Sequence, residues 1–451
     1  MRKPKILLIA PYSNIPKRNE SLIPIGLLSI GGILRQNEYE VKVYNASFYV
    51  KDRFEHTRRY LINFAPDIIG LGFPTDALES AISIAKLGKE INKNIVIIVG
   101  GIHPTAMPES TIKVPYFDFL VSGEGEVTML ELVNAITTAS DFRDIKGISY
   151  KTKEITITTE RRPEISHLDI LPFDNRDLLI DFDKYPKQAL GQIHTSRGCP
   201  YNCAYCSSSI IWKGKVRFRS TENVLDEMEY LYQKYQVRDF NFADDNFILE
   251  PARVSAICDG IIKKGLKVKW RCCARADVHK YFDWDILKLM YIAGCRNICV
   301  GFESGSQKLL DELQRGVRIE EVPIILEMMK NVGIKINADF IIGLPNETEA
   351  TLNQTLELMK QVWKYTHALI SVAIFKPYPG TVANKKREYL EDKELYKKFK
   401  KIFNYAEYCN IKSLSRNPQY ILGRFVASIT NPSEFATLIR KTFRAWTTKN
   451  V

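Results

Sequence analysis

Three cysteines lie close together near the middle of the chain. Cys199, Cys203 and Cys206 follow one another with three and then two residues between them. Thiolates at this spacing can hold one face of an iron–sulfur cluster, and such clusters usually have four cysteine ligands. No fourth cysteine lies in the same loop, so one iron would stay open to another ligand. The spacing therefore predicts a [4Fe–4S] cluster with one reactive iron.

A zinc site that uses these three cysteines and His194 is the alternative. Structural zinc usually has two paired-ligand arms separated by a dozen or more residues, and the sequence shows no second arm. The odd total of nine cysteines also argues against a disulfide framework. The other six are scattered, and we expect them to be small buried apolar residues.

Length and composition limit the class of protein. A chain of 451 residues is too long for one ordinary core and predicts two or three domains. No apolar run approaches the roughly 18–20 residues that span a bilayer, so we expect a cytoplasmic protein. The net charge of +12 could indicate an acidic partner. No block of five or six consecutive basic residues is present, however, and we expect no nucleic-acid partner.

The first domain, residues 1–140, alternates short apolar strands with helical stretches. The strands are expected near residues 6–10, 41–44, 68–72, 95–100 and 119–121. Buried strands with intervening helices predict an α/β fold with a doubly wound parallel sheet. Ligands of such sheets bind beyond the carboxyl ends of the strands, where the loops turn into helices.

Glycine is concentrated at those carboxyl ends. Gly100 and Gly101 follow one predicted strand, and Gly123, Glu124 and Gly125 follow the next. Glycine lets the backbone turn tightly and approach a bulky ligand. Turn formation without any ligand is the alternative for both segments.

Three further regions follow. Residues 141–190 contain a hairpin-like stretch and several prolines, and we interpret them as a linker. Residues 191–385 resume the strand–helix alternation with six units, which predicts a partial (β/α)6 barrel of the TIM type. Residues 386–451 are predicted to form a helical C-terminal region.

Polar residues and glycines mark the predicted ends of the barrel strands, where a barrel of this type carries its reactive groups. They are Asp244, Asp245, Arg275, Glu303, Ser304, Gly343 and Pro345. Each has a structural alternative: a helix N-cap for the carboxylates, an ion pair for the arginine, and an ordinary turn for the Gly-Leu-Pro segment.

The cysteine loop resembles the cluster motif of the radical S-adenosylmethionine (radical SAM) superfamily, including the aromatic Tyr205 before the last cysteine. The resemblance implies that the open iron chelates S-adenosylmethionine, whose cleavage yields a deoxyadenosyl radical. It also implies an electron donor such as flavodoxin or ferredoxin. The residues that it implies for S-adenosylmethionine binding are Tyr205, Asp244, Asp245, Arg275, Glu303, Ser304, Gly343 and Pro345.

The first domain resembles the cobalamin-binding domain of one branch of that superfamily. This branch includes the anaerobic magnesium-protoporphyrin ester cyclases, hopanoid-modifying enzymes and class B carbon methyltransferases. The residues that the resemblance implies for cobalamin are Gly100, Gly101, His103, Gly123, Glu124 and Gly125. The loop after the first strand lacks the cobalt-binding histidine of other cobalamin domains. His103 is the one candidate to replace it, and we favour a turn histidine there.

These resemblances imply a cobalamin-dependent enzyme that methylates an unactivated carbon of a small or lipid-like substrate. Radical cyclisation, rearrangement or carbon–carbon bond formation without methyl transfer is the alternative, and a non-catalytic cobalamin- or metal-binding protein is a second one. A transfer-RNA methylthiotransferase would need a second three-cysteine cluster in the first domain. Cys199 is the first cysteine of the chain, so that interpretation fails.

The C-terminal region contains one amphipathic segment. Asn431-Pro432-Ser433-Glu434 has the pattern of a capping box, and apolar residues then follow at helical spacing up to Trp446. Arg440, Lys441 and Arg444 lie towards the other side. We expect this helix either to dock on the barrel or to make peripheral contact with an anionic membrane.

Overall fold

The computed structural model describes residues 2–12, 22–49, 52–173, 175–385 and 393–414. It divides into two compact units. Unit 1 comprises Met1–Asp245, Lys263–Lys269 and Tyr378–Asn384. Unit 2 comprises Asn246–Ile262, Trp270–Pro377 and Lys385–Val451.

Unit 1 holds strands β1 (Lys5–Ala10), β2 (Glu40–Asn45), β3 (Ile68–Gly72), β4 (Val96–Gly100), β5 (Phe119–Val121), β6 (Ile148–Lys151), β7 (Thr156–Thr158), β8 (Gln192–Ile193), β9 (Ser196–Arg197), β10 (Arg217–Phe218) and β11 (Asp239–Phe242). Its helices are α1 (Ile25–Gln36), α2 (Arg53–Phe64), α3 (Leu78–Ile91), α4 (Ile102–Ala106), α5 (Pro108–Ile112), α6 (Gly125–Thr138), α7 (Lys187–Leu190), α8 (Ser208–Trp212) and α9 (Thr221–Lys234).

The main sheet of unit 1 has the strand order β2-β1-β3-β4-β5-β6-β7. Strands β1 to β5 are parallel, and their apolar side chains are almost completely buried because α1 and α6 pack together on the sheet, as do α2 and α3. The predicted hairpin also forms, and it pairs antiparallel with β5 as an extension of this sheet. The strand order reverses between β1 and β3, which is where such sheets bind ligands.

The first predicted barrel strand is interrupted. Instead of one strand over residues 193–196, β8 pairs in parallel with β11, and β9 pairs antiparallel with β10. Thr195 lies between β8 and β9, and its amide donates to Asp244 Oδ1 at 2.6 Å. The Thr195 hydroxyl also donates to Asp244. These bonds turn the backbone away from the ladder and start the cysteine loop.

Unit 2 holds β12 (Lys269–Arg275), β13 (Cys295–Glu303), β14 (Lys335–Ile342) and β15 (Leu369–Ile374). Its helices are α10 (Pro251–Lys263), α11 (Trp284–Ile292), α12 (Gln307–Glu312), α13 (Val322–Val332), α14 (Glu349–Thr366) and α15 (Lys393–Leu414). The four strands are parallel and adjacent in chain order. Together with β8 and β11 of unit 1 they account for the six predicted barrel strands, so the α/β class is confirmed.

Local sequence explains where several helices begin. The Asp283 side chain accepts the Ile286 amide at the start of α11, and Ser220 accepts the Asn223 amide at the start of α9. Each bond satisfies an amide that has no partner inside its own helix. Among the described residues, no helix combines the length and the hydropathy needed to cross a membrane. The amphipathic helix predicted at residues 431–451 lies outside the described residues.

Candidate functional site

A cavity of about 460 Å³ lies in unit 1 at the carboxyl ends of β3, β4 and β5. Part of its lining comes from the loops after these strands and the first turn of α1. The lining also includes residues around the cysteine loop: His194, Ser196, Arg197, Gly198, Ile211, Trp212, Ala243 and Asp245. The cavity therefore joins the sheet edge, where a cofactor is expected, to the segment that leads into Cys199.

The structure places most residues predicted for cobalamin at this cavity. Gly100, Gly101, Gly123, Glu124 and Gly125 all line it. His103 is not among the lining residues; its Nδ1 lies 3.1 Å from Thr75 Oγ1 and its ring stacks on Phe73. Burial lowers the pKa of the His103 imidazole, which favours the neutral ring. His103 has the environment of a turn histidine, and its contact with cobalamin stays a prediction.

Gly101 is required by the fold as well as by any ligand. Its φ is +97°, and a Cβ there would lie 2.8 Å from the Phe73 backbone nitrogen. An L-residue at this position would be strained and would also push β3 and β4 apart. The glycine in this segment therefore has a structural reason independent of cobalamin.

A buried ion-pair network joins the turn after β5 to the cysteine loop. Arg197 donates to Glu124 at 2.6 Å and to Glu126 at 2.5 Å, and Arg217 donates to Glu124 at 2.8 Å. The Ser29 hydroxyl donates to Glu126 at 2.8 Å. Burial acts to raise the pKa of the Glu126 carboxyl, but Arg197 and Ser29 hold it below its ordinary value. Glu124 thus lines the cavity with its carboxylate engaged by two arginines.

The backbone of the cysteine loop is tightly constrained at its start. Gly198 has a φ of +100°, and a Cβ there would collide with the Lys215 carbonyl oxygen. Further along, the Cys206 amide donates to the Cys203 carbonyl at 3.1 Å. Cys203 is buried, Cys199 and Cys206 are partly exposed, and none of the three is in a disulfide.

Three cysteine sulfurs are the kind of ligand that holds an iron–sulfur cluster. Burial, with Asp245, Cys203 and Cys199 acting in the same direction, raises the pKa of Cys206 to about 11. The thiol therefore keeps its proton until a metal displaces it. In the described part of the chain, no three His, Cys, Asp or Glu side chains are already grouped as metal ligands. Cluster binding would draw the three sulfurs of this loop together.

The two aspartates after β11 have different surroundings. Asp244 is buried and accepts bonds from the Thr195 amide and from the Ser196 hydroxyl at 2.8 Å. Asp245 is exposed, lines the cavity and accepts from the Ser208 hydroxyl at 2.8 Å. Asp244 therefore organises the loop, whereas Asp245 is available to a ligand. Tyr205 is partly exposed within the cysteine loop.

In unit 2, the predicted Arg275 and Glu303 belong to one buried network. Arg275 pairs with Asp277 at 3.1 Å and donates to the Arg315 carbonyl, while Arg315 lies 3.3 Å from Glu303. No sequence pattern marked Asp277 or Arg315 as functional. Each matters only because the fold brings it against a residue at the end of a strand, Arg275 or Glu303. Arg275 thus forms the ion pair that was the structural alternative. Its contact with a ligand stays a prediction.

The remaining predicted residues lie at the ends of β13 and β14. The Ser304 hydroxyl is fully buried, 3.2 Å from Thr355 Oγ1, and accepts the Ser306 amide. The Gly343 amide donates to the buried Glu347, whose pKa burial raises to about 7. Pro345 is partly exposed. Ser304 therefore has a packing role, and Glu347 is a buried carboxyl that the sequence analysis missed.

Two family models match the chain. The model for the radical SAM superfamily matches residues 193–359, and the model for the B12 binding domain matches residues 15–133. An uncharacterised methyltransferase of Pyrococcus horikoshii is 33% identical over 388 residues, which is 84% of this chain and 82% of that protein. The B12-binding match covers β2 to β5 of unit 1's main sheet, and the radical SAM match covers β9 to β14.

Two further proteins define the wider group. The anaerobic magnesium-protoporphyrin IX monomethyl ester cyclase of Rubrivivax gelatinosus is 30% identical over 335 residues, covering 72% of this chain. The chain spans only 59% of that cyclase's length. The radical S-adenosylmethionine methyltransferase TsrM from Kitasatospora setae, solved with cobalamin and a [4Fe–4S] cluster bound, has a TM-score of 0.71 at 18% identity. That alignment covers 85% of this chain and 74% of TsrM and shows a shared fold.

The family matches define a radical SAM enzyme with a B12-binding domain, and the fold agrees with that class. The chain belongs to the radical SAM superfamily, in the group that carries a B12-binding domain and is related to methyltransferases. The two family matches thereby confirm the predicted cofactors, which are S-adenosylmethionine, a [4Fe–4S] cluster and cobalamin. The zinc alternative for the cysteine loop is set aside.

Proposed function

We propose that this enzyme methylates an unactivated carbon of a small or lipid-like substrate, with cobalamin as the methyl carrier. The observation that carries the proposal is the cavity of about 460 Å³, which is lined both by the glycine loops and by the cysteine-loop segment. A methyl carrier held there would lie beside the residues that lead into Cys199. Proximity of this kind is what a transfer between two cofactors and one substrate requires.

When bound, the cluster and S-adenosylmethionine supply a hydrogen-abstracting radical, and cobalamin supplies the methyl group. The chain positions these groups. We propose Cys199, Cys203 and Cys206 as the three cluster ligands. Arg197 fixes the start of their loop through its bonds to Glu124 and Glu126. The lining of the cavity is mostly apolar, which excludes water from a reactive intermediate.

We propose contacts for S-adenosylmethionine in each unit separately. In unit 2, Arg315 holds the Glu303 carboxylate, which can accept hydrogen bonds from both hydroxyls of a ribose. In unit 1, the exposed Asp245 can accept from a cationic amino group. We propose Tyr205, Arg275, Gly343 and Pro345 as further contacts, and Asp244 and Ser304 as residues that position them.

The first experiment tests the cluster ligands. Anaerobically reconstituted protein should hold about four irons per chain, absorb broadly near roughly 400 nm, and release 5′-deoxyadenosine from S-adenosylmethionine when reduced. Alanine at Cys199, Cys203 or Cys206 should abolish all three signals, because three ligands leave no redundancy. Cys409→Ala is the matched control, since Cys409 is buried in α15. Cluster binding by a triple-alanine variant would refute the assignment.

The second experiment separates methyl transfer from cyclisation or rearrangement. A methyltransferase of this design must restore its methyl carrier from S-adenosylmethionine, whereas a cyclase has no such need. Enzyme incubated with cob(I)alamin and S-adenosylmethionine bearing a CD3 group should therefore produce CD3-cobalamin faster than a protein-free control. Release of 5′-deoxyadenosine without CD3-cobalamin would favour the alternative that the cyclase relative suggests. Absence of both products would support a non-catalytic binding protein.

The reductant is the remaining partner. Chemical reduction by dithionite should support cleavage of S-adenosylmethionine, and we propose that a flavodoxin or ferredoxin replaces it in the cell. Reduced flavodoxin should then sustain cleavage in the absence of dithionite. Cleavage with dithionite alone would show that the donor is a different protein.

A further inference from the structure

Four of the cysteines that appear scattered in the sequence meet on two neighbouring strands of unit 2. Cys272 and Cys273 lie on β12, and Cys295 and Cys299 lie on β13. Successive side chains of a strand point to opposite faces of the sheet. Cys272 and Cys273 must therefore face different environments, and each has one cysteine of β13 as its neighbour.

Cys273 and Cys299 form the first pair. They are direct register partners in the parallel ladder between β12 and β13. Neighbouring strands lie about 4.8 Å apart, which falls within the Cα separation of roughly 4.4–6.8 Å that disulfides span. The two side chains hydrogen bond to each other, and both residues are partly exposed.

The surroundings make the two thiols chemically unequal. The hydrogen bond from Cys273, against the effect of burial, lowers the pKa of Cys299 to about 7. Asn337 donates to Cys299 Sγ at 3.7 Å and Arg271 acts in the same direction, whereas Asp339 opposes them. The bond to Cys299 and burial raise the pKa of Cys273. The Cys299 thiol therefore ionises more readily than the Cys273 thiol beside it, and such an inequality favours exchange with disulfides.

Cys272 and Cys295 form the second pair, on the buried face. Both side chains have no exposed surface, and they also hydrogen bond to each other. Burial raises the pKa of Cys272 well above its ordinary value. This pair is inaccessible to solvent, so the same two strands supply an internal control for the partly exposed pair.

We propose that Cys273 and Cys299 are a redox-active dithiol that small-molecule disulfides convert into an intramolecular disulfide. The Cys299 thiolate attacks one sulfur of the small disulfide; a mixed disulfide forms and one thiolate leaves. The Cys273 sulfur then attacks Cys299 Sγ, the mixed disulfide breaks, and the second small thiol leaves with the Cys273 proton. The two protein thiols are oxidised by two electrons, and one small disulfide is reduced to two thiols.

The proposed Cys273–Cys299 disulfide would lie near residues proposed to bind S-adenosylmethionine. β12 ends at Arg275 and β13 ends at Glu303, the two residues of the buried network with Arg315. Cys273 and Arg275 lie on the same face of β12, because they are two residues apart. A disulfide would join β12 two residues before Arg275 to β13 four residues before Glu303.

Oxidised glutathione is the probe, added anaerobically to the reconstituted full-length enzyme. Peptide mass spectrometry should then find Cys273 linked to Cys299 with loss of two hydrogens, and dithiothreitol should reverse it. Cys272 and Cys295 should be alkylated only after denaturation. A missing Cys273–Cys299 link, or a link between Cys272 and Cys295 in folded protein, would overturn the proposal.

Variants separate the attacking role of Cys299 from the role of Cys273, which resolves the mixed disulfide. Cys273→Ser should stop at a glutathione adduct on Cys299, and Cys299→Ser should form neither adduct nor link. Cys272→Ala is the matched control and should react like wild type. The rate of wild-type adduct formation should rise severalfold from pH 6 to pH 8 as Cys299 ionises. Should the Cys299 variant fail to fold, iodoacetamide labelling of wild type decides: slower labelling of Cys299 than of Cys272 refutes the proposal.

Discussion

Arg197 and Glu126 form an ion pair with 2.5 Å between Nη2 and Oε1, and both side chains are largely buried. Arg197 is two residues before Cys199, and Glu126 lies in the first turn of α6 beside the cavity. A second bond from Arg197 to Glu124 strengthens the link. One guanidinium therefore holds both the start of the cysteine loop and the turn after β5, so the proposed cluster and cobalamin sites depend on the same residue.

We predict that Arg197→Met destabilises the protein by about 3–5 kcal/mol, because it removes the cation that pairs with the buried Glu126 carboxylate and leaves Glu124 with Arg217 alone. Urea unfolding of the protein without cofactors would measure this loss. Cobalamin retention and iron content should both fall in the reconstituted variant. Arg143→Met is the control, since Arg143 pairs with Asp141 on the surface and its loss should leave the urea midpoint close to that of wild type. Equal midpoints for the two variants would contradict a positioning role for Arg197.

Gly26 offers a way to block the cavity without straining the backbone. It lies in the first turn of α1, lines the cavity, and a Cβ there would meet no atom within 4 Å. Gly26→Ala should leave cobalamin affinity unchanged and fold at least as stably as wild type. Gly26→Phe should weaken hydroxocobalamin binding by at least about tenfold, or about 1.4 kcal/mol, while the iron content stays the same. Unchanged affinity in the phenylalanine variant would place cobalamin elsewhere.

Gly101 is a poor choice for the same experiment. A side chain there would press on the Phe73 backbone, so loss of cobalamin could not be separated from loss of the fold.

Glu347 should make the free energy of unfolding fall as the pH rises, which is the reverse of the usual effect of a carboxyl group. Burial raises its pKa from 4.5 to about 7 in the folded protein, so the folded state binds more protons than the unfolded state between these values. Stability from this group is then lost as the pH rises through that window, by up to about 3 kcal/mol at 1.36 kcal/mol per unit. Glu347→Gln keeps an acceptor for the Gly343 amide and removes the titration.

Urea midpoints at pH 5 and pH 8 test this prediction. Wild type should lose more stability than Glu347→Gln between the two pH values. Glu357→Gln is the control, because Glu357 lies on the surface of α14 beside Lys360. Parallel pH profiles for wild type and Glu347→Gln would show that the Glu347 carboxyl is ionised in the folded protein at pH 5.

The sequence alone determined the features that depend on local pattern. The spacing of Cys199, Cys203 and Cys206 predicted the cluster loop, and the apolar runs predicted β1 to β5 to within one residue at most ends. The glycines after β4 and β5 predicted the edge at which the cavity lies. These features could be predicted because strand burial, helix caps and ligand loops each use residues that are near one another in the chain.

Tertiary structure decided how distant polar groups are paired. Arg197 and Glu126 are 71 residues apart, and Thr195 and Asp244 are 49 apart. Cys273 meets Cys299 only because β12 and β13 take one particular register; a shift by one residue would place the thiols on opposite faces. His103 lies against Thr75 because the sheet order brings the loops after β3 and β4 together. Periodicity specifies which face is buried, whereas strand order and register specify which residues meet there.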